Sequence, residues 1–340
     1  MKEFDRIIRF VKDWTLLVCM ALGAVGYYVL KCVPALEAWR HPAAEISSGL
    51  LPVLIFLMLF MTFIKIDVRS YRLTWWHVVL LLLQMGLSGV LAWCVSAHPQ
   101  TGWRMSAEGA FCCVACPTAT AAAVIVRKLG GRVQTITTYT LLSGFVSAVM
   151  IPLLLPVMEH NPQLEFHAMF LVILRRVSPP LIAPFVLAAL IRWAHARLAQ
   201  RMADFTRDAA FYLWGFTLTI LMAQTLHSVY CSHATGFQVL LTACAGLLVC
   251  GVQFFLGHKV GLLFRDTVSC TQGLGQKNTM IAVWVCLSYL SPLAAVVPGS
   301  YILWQNVLNS WQLFGKNAGA RNPVPQLEQQ GRTAMAGERL

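Results

Sequence analysis

A lysine stands in the middle of an otherwise apolar stretch, surrounded by small and amide residues: Gln272-Gly273-Leu274-Gly275-Gln276-Lys277-Asn278-Thr279, within the segment from Val268 to Val285. A mid-membrane lysine costs about 3 kcal/mol even on the lenient insertion scale, so it faces a cavity or a partner. Lys277 can occupy the place of a cation, carry a proton, attract an anionic substrate, or snorkel and cap the Gly273 to Gly275 carbonyls. A second interruption, Cys116-Pro117-Thr118-Ala119-Thr120, lies about half the chain earlier, between Phe111 and Val126. Proline and paired glycines free backbone groups that lipid cannot satisfy, so both breaks belong inside protein or beside a watery cavity. Paired breaks in corresponding halves of a chain point to a transporter's binding site. Each also exposes the positive end of a half-helix dipole, and two such ends facing each other attract an anion.

The elements that must hold these breaks are spanning helices. At 58% hydrophobic, 12% charged and mean hydropathy +0.65, the 340 residues are too evenly apolar for a soluble domain. Apolar stretches near the ~20 residues a spanning helix needs recur throughout. They predict an all-α polytopic membrane protein with ten spans: Trp14 to Val33, Ser47 to Ile66, Trp75 to Ala97, Ala107 to Val126, Val133 to Val157, Pro179 to Trp193, Ala210 to Tyr230, Phe237 to Phe255, Val268 to Leu290 and Leu293 to Phe314. Before the sixth, Met169 to Val177 with Arg175-Arg176 reads as an amphipathic lead-in ended by a break at Pro179-Pro180. Of the 26 Lys and Arg, 20 fall in segments on the side of the N-terminus and 5 on the other, with Lys277 inside the membrane. That asymmetry places both termini in the cytoplasm.

The formal charge of +12 is the same topology signal, meeting anionic lipid rather than nucleic acid. Residues 1–13, with Lys2, Arg6, Arg9 and Lys12 among Phe4, Ile7, Ile8, Phe10 and Val11, suit an amphipathic helix on the cytoplasmic face rather than a cleaved signal. Residues 315–340, rich in Pro, Gln and Gly, read as a disordered tail. The eleven cysteines are scattered through apolar spans as packing residues, and Cys113 to Cys116 lacks the second pair or the histidines of a metal or redox centre. No cofactor or metal is expected. Nor is an enzyme, since no span carries paired carboxylates, His-x-x-x-His or an activated nucleophile.

At these residues the chain resembles the bile acid:sodium symporter family. Ala92-Trp93-Cys94-Val95-Ser96, then Cys116-Pro117-Thr118-Ala119-Thr120-Ala121 and Gly131, is similar to that family's third-helix end and fourth-helix signature. Gln276-Lys277-Asn278-Thr279 followed by Ala282-Val283 is similar to its ninth-helix signature. The resemblance covers residues 14–314 and implies two inverted five-helix repeats whose broken helices 4 and 9 cross near the midplane. It further implies a panel of spans 1, 2, 6 and 7 and a core of spans 3–5 and 8–10, with the substrate between them. The candidate substrate and crossover residues are Pro117, Thr118, Thr120, Gln272, Gly273, Gly275, Gln276, Asn278 and Thr279, whose polar members flank the breaks and can hydrogen-bond either the substrate or the freed backbone.

The departures bear on coupling. At the family's first cation site this chain carries Ala122, Ala123, Ile136 and Thr140, with Gly273 where the resemblance places a Glu, so only Thr140 keeps an oxygen ligand. At the second site Gln84 matches, while Lys277 stands at a Gln position or, with a one-residue gap, is an insertion after Gln276. Sodium wants hard oxygens and a nearby carboxylate, and an ammonium repels it; Asp67, Glu108 and Asp266 all lie near span ends. The expectation is a transporter in a bacterial inner membrane that moves a bile acid, steroid conjugate or small carboxylate by alternating access. Lys277 replaces the cation or carries a proton, and sodium coupling is not expected. The rivals are a cation/proton exchanger of related fold, which needs a mid-membrane carboxylate, and a transport-dead sensor. Gln224, Gln305 and Asn309 are cavity candidates for which interhelical hydrogen bonding is the commoner use.

Overall fold

Lipid offers no partner to a free N–H or C=O, so an apolar chain must satisfy its backbone internally. The computed structural model describes residues 15–65, 72–158, 166–231 and 234–321, and its regular elements are helices, with one isolated two-residue bridge. The amphipathic N-terminal stretch, Asp67 and the tail beyond Arg321 lie outside the described residues. In chain order come α1 (Thr15–Cys32), a 3-10 turn (Pro34–Trp39), α2 (Arg40–Phe63), α3 (Trp75–Ala97), α4 (Arg104–Ala115), α5 (Ala121–Leu129) and α6 (Val133–Met158). The second half holds α7 (Phe166–Ala194), α8 (Ala196–Cys231), α9 (Gly236–Phe264), α10 (Thr267–Gly275), α11 (Thr279–Tyr289), a 3-10 turn (Pro292–Ala295) and α12 (Val296–Arg321).

Five of these helical stretches are long and apolar enough to cross a membrane: Pro34–Phe63, Trp75–Ala97, Val133–Met158, Phe166–Ala194 and Gly236–Phe264. Large apolar side chains such as Leu82, Leu187, Leu248 and Leu263 point away from the protein, where only lipid removes them from water. The protein is an all-α integral membrane protein.

Packing sorts the helices into two groups. One is α1 on α8, with α2 against α7 and α8. In the other, α3 packs on α4 and α6, α9 on α10 and α12, and α4 on α9, α11 and α12. The groups meet where α6 lies on α7 and where α11 touches α2 and α8. A large buried apolar cluster, including Leu51, Ile55, Phe111, Ile151, Val177, Ile281 and Val285, runs through both.

Besides α2, which starts at Arg40 rather than Ser47, and α9, which ends at Phe264 rather than Phe255, three boundaries differ from those expected. There is no break at Pro179-Pro180: α7 runs unbroken from Phe166 through Pro179, Pro180 and Pro184, so lead-in and span are one helix. α7 in turn serves a proline of its neighbour: the Ser178 hydroxyl donates at 2.7 Å to the Ala148 carbonyl on α6, which Pro152 leaves without its intrahelical donor. Second, α8 begins at Ala196, so Arg197 and Arg201 ride on helix rather than loop. Third, α12 continues to Arg321, into the segment whose composition reads as tail. Helix propagation costs little once a long helix exists, whatever the hydropathy of its last turns.

Candidate crossover site

Pro117 cannot donate the hydrogen bond that would continue α4, so the chain leaves the helix after Ala115 with Cys116 extended. The glycines of α10 pack where no side chain fits: a Cβ on Gly275 would lie 2.5 Å from the Phe254 ring, and Gln276 leaves the helix extended. The two extended segments pass each other antiparallel, joined at Thr118 and Lys277. The Ala119 N–H donates to the Gln276 carbonyl at 2.7 Å and the Asn278 N–H to the Pro117 carbonyl at 2.8 Å. The chain then re-enters helix as α5 and α11, so each break is a helix interrupted at the crossing point.

The carbonyls freed at the end of α4 are met by side chains. Lys277, fully buried, donates from Nζ to the Val114 carbonyl at 3.0 Å and the Cys116 carbonyl at 3.1 Å. Gln84 Nε2 donates to the Ala115 and Cys116 carbonyls at 3.1 and 3.3 Å, and the Ser147 hydroxyl to the Ala115 carbonyl at 2.6 Å. A helix C-terminus carries partial negative charge, so an ammonium there is favourably placed. The carbonyls Lys277 caps belong to the opposite broken helix rather than to Gly273 to Gly275. Those are served otherwise: the Thr118 hydroxyl donates to the Gly273 carbonyl at 2.6 Å and the Tyr301 hydroxyl to the Gly275 carbonyl at 2.6 Å.

One face of α12 holds the second break. Tyr301, Gln305, Asn309 and Gln312 recur at helical spacing; besides Tyr301, Gln305 Oε1 accepts from the Lys277 N–H at 3.2 Å. Asn309 Nδ2 donates to Gln276 Oε1 at 2.6 Å, and Gln272 Nε2 donates to Asn309 Oδ1 at 3.0 Å and Gln312 Oε1 at 2.8 Å. Gln253 Nε2 on α9 in turn donates to the Tyr301 hydroxyl at 3.2 Å. Gln224 donates to Ser47 across α8 and α2 at 2.8 Å. Mid-membrane amides here join helices, the use that dominates in lipid.

The positions compared above with cation sites are filled without an ion. Ala122 and Ile136 are buried in an apolar cluster with Trp76, Leu80, Val126, Tyr139 and Leu274. The Thr140 hydroxyl is spent on the Ile136 carbonyl of its own helix at 2.9 Å. A Cβ on Gly273 would approach the Tyr139 ring to 3.1 Å, so the space a longer residue would need is taken by a tyrosine. Ala123, by contrast, is only half-buried at the edge of that cluster.

Thr120 and Asn278 are half-buried at the N-terminal ends of α5 and α11, whereas Thr118, Gln272, Gln276 and Thr279 are buried. Thr279 lines a half-open cavity of about 290 Å³ between α1, α8, α9, α11 and α12, whose walls include Met20, Leu221, Met222, Thr225 and Ser300. Spacing alone does not single out Ser143, whose hydroxyl accepts from the Thr118 N–H at 3.1 Å, or Ser147. Their common face with Thr140 on α6 is the signal that could have found them. Glu108 is buried: it accepts from Arg104 Nε at 2.7 Å and from the Ser291 N–H at 3.1 Å, tying α4 to the turn after α11. No protein-family model matches this chain, and no curated protein matches it by sequence.

Proposed function

We propose that this protein is a secondary transporter that moves an organic anion (a bile acid, steroid conjugate or small carboxylate) by alternating access, with Lys277 in place of a coupling cation. The observation that carries the reading is the crossing of two interrupted helices around a buried ammonium that is bonded to the carbonyl end of the opposite helix. Counting α4 with α5 and α10 with α11 as one crossing each gives ten spans, and in each half of the chain the broken helix is the fourth of five. An odd number of spans per half makes the two halves inverted repeats. The group of α1, α2, α7 and α8 is the panel and the remainder is the core. Both termini face the cytoplasm, and the membrane is a bacterial inner membrane.

An ammonium at this place does what a bound cation does in a sodium-coupled relative: it offsets the negative helix end and keeps the crossing closed. It is permanently supplied by the chain, so substrate binding needs no sodium. The half-buried Thr120 and Asn278, beside the positive ends of α5 and α11, are the groups that meet the anion. A cation/proton exchanger needs a titrating carboxylate at the crossing, and the buried carboxylate nearest to it along the broken helices, Glu108, is spent on Arg104 and the Ser291 N–H.

The test is the thermal stability of purified protein with organic anions, each in sodium, in potassium and at two pH values, because a ligand that binds only the folded state raises its melting temperature. The expected result is stabilisation by an anion to the same extent in sodium and potassium. A pH dependence of that stabilisation would assign a transported proton to Lys277. Stabilisation that requires sodium would overturn the reading. In the same assay Lys277→Gln is expected to lose anion-dependent stabilisation in sodium and in potassium alike, because apolar groups fill the positions around the crossing where a cation would need ligands.

A further inference from the structure

Two of the eleven cysteines end helices rather than packing within them: Cys32 is the last residue of α1 and Cys231 the last of α8. Both are exposed and free. The helices that carry them run parallel and touch up to these ends. The Thr219 hydroxyl donates to the Cys19 carbonyl at 3.2 Å, and a Cβ on Gly23 would lie 2.3 Å from the Thr219 carbonyl oxygen, so close is the approach. Further along, the Tyr27 and His227 rings meet with centroids 6.0 Å apart. Lys31 Nζ then lies 3.1 Å from the centre of the Tyr230 ring, and these are the residues immediately before the two cysteines. The contacts climb both helices together, so Cys32 and Cys231 stand at the same level on the same side of the membrane.

The surroundings equip one thiol to attack and the other to follow. Cys231 Sγ lies 3.7 Å from His227 Nε2 and 3.8 Å from His227 Nδ1, one turn back on α8. That imidazole is placed to take the thiol proton, as the base of a nucleophile–base pair does. The same His227 ring packs on Tyr27, whose hydroxyl is within electrostatic range of both thiols. Each cysteine closes its helix, so no further turn fixes its backbone, and a small adjustment brings the Cα atoms to the roughly 4.4–6.8 Å that a disulfide spans.

We propose that Cys32 and Cys231 are a dithiol pair that closes to an intrachain disulfide by exchange with a disulfide-bearing oxidant. The Cys231 sulfur attacks one sulfur of the oxidant, whose S–S bond breaks and releases the first thiol. The Cys32 sulfur then attacks Cys231 in the mixed disulfide and releases the second thiol. The two cysteine protons and two electrons end on the oxidant, which is reduced to two thiols. On the topology proposed above, this side of the membrane faces away from the cytoplasm, into a compartment where disulfides persist. Pairing in the purified protein does not depend on that topology, so failure of the transport reading leaves it standing. The bond joins α1 to α8 within one helix group and does not tie that group to the other.

The test is intact-mass measurement and peptide mapping of the purified full chain after treatment with oxidised glutathione in mildly alkaline buffer. The expected wild-type product is a monomer lighter by two hydrogen atoms and holding no glutathione at either position. In it a Cys32 peptide is linked to a Cys231 peptide until reductant is added. Cys32→Ser is expected to keep one glutathione on Cys231, because nothing resolves the mixed disulfide. Cys231→Ser is expected to take up glutathione at Cys32 about fivefold more slowly than Cys32→Ser does at Cys231, because the imidazole contact belongs to Cys231. Glutathione held stably on both Cys32 and Cys231 of the wild type would overturn the proposal, since it would show that the thiols do not meet. So would two thiols that neither link nor take up glutathione. A Cys32–Cys231 link that runs between two chains, seen as a dimer on a non-reducing gel, would overturn it as well.

Discussion

The two interrupted helices pose the same problem and solve it with different chemistry. At the first break the freed carbonyls of α4 are met by groups from three other elements: Gln84 on α3, Ser147 on α6 and the ammonium of Lys277 from the opposite break. At the second, a single helix does most of the work, with Tyr301, Gln305 and Asn309 of α12 meeting successive residues from Gly275 to Lys277. The first is therefore held by donors that converge from several directions, one of them charged, and the second by a neutral ladder on one surface. Lys277 belongs to both: its N–H is on the ladder and its Nζ is on the other helix. The crossing is a joint that depends on this residue more than on any amide.

Substitutions at the two breaks should therefore have unequal costs. The largest effect is expected at Lys277 itself. Lys277→Met removes a buried charge, which relieves desolvation, but leaves the Val114 carbonyl without its donor and strips the counter-charge from the end of α4. A buried carbonyl left unmade costs about 1–3 kcal/mol, so a net loss of about 3 kcal/mol is expected in equilibrium unfolding in mixed detergent micelles. No loss would show that the crossing does not rest on the ammonium. Gly275→Ala comes next, at about 2 kcal/mol, because its Cβ would lie 2.5 Å from the Phe254 ring and either the ring or α10 must move. Restoration by Phe254→Leu in the same measurement would identify packing rather than backbone freedom as the cause.

On the ladder side, Asn309→Leu breaks the bonds to both Gln276 and Gln272. Interhelical hydrogen bonds in membranes average only ~0.6 kcal/mol each, because the unfolded chain in lipid also finds partners. The expected loss is about 1 kcal/mol, clearly below that of Lys277→Met. An equal or larger loss would reverse the comparison and make the neutral ladder the main support of the joint.

Much of this arrangement is legible in the amino-acid sequence, and the rest is not for physical reasons. Pro117, the Gly273 and Gly275 pair and a lysine in an apolar run announce two breaks, because each violates what lipid tolerates. The amides at 305 and 309 share a helical face, and interhelical bonding is their ordinary use. Which carbonyls Lys277 holds was not legible, since its own glycines are nearer in sequence and only the crossing of α4 and α10 brings Val114 and Cys116 within reach. Tyr139 filling the space beside Gly273 was hidden for the same reason: an aromatic in a span reads as packing whatever it displaces. The α7 prolines misled because proline breaks an isolated helix more readily than one packed along α2 and α6.

The smallest effect sharpens the comparison most. Ser143 accepts from the Thr118 N–H at 3.1 Å while its own proton goes to the Thr140 carbonyl at 3.0 Å, so it relays one turn of α6 to the first break. Ser143→Ala leaves the Thr118 N–H without its acceptor, but the Thr118 hydroxyl still binds the Gly273 carbonyl, and the flanking Ala119 and Asn278 N–H bonds still join the strands. With several donors converging, the loss of one acceptor should cost about 0.5–1 kcal/mol. In the Lys277→Met background the same substitution should cost more, since a joint already lacking its charged donor relies on the remaining bonds. A double-mutant cycle on unfolding free energy reads this directly: coupling of about 0.5 kcal/mol or more between positions 143 and 277 is expected from groups that share one network. Strict additivity would mean that hydroxyl and ammonium hold the first break independently, and that the crossing is a set of separate contacts rather than a single joint.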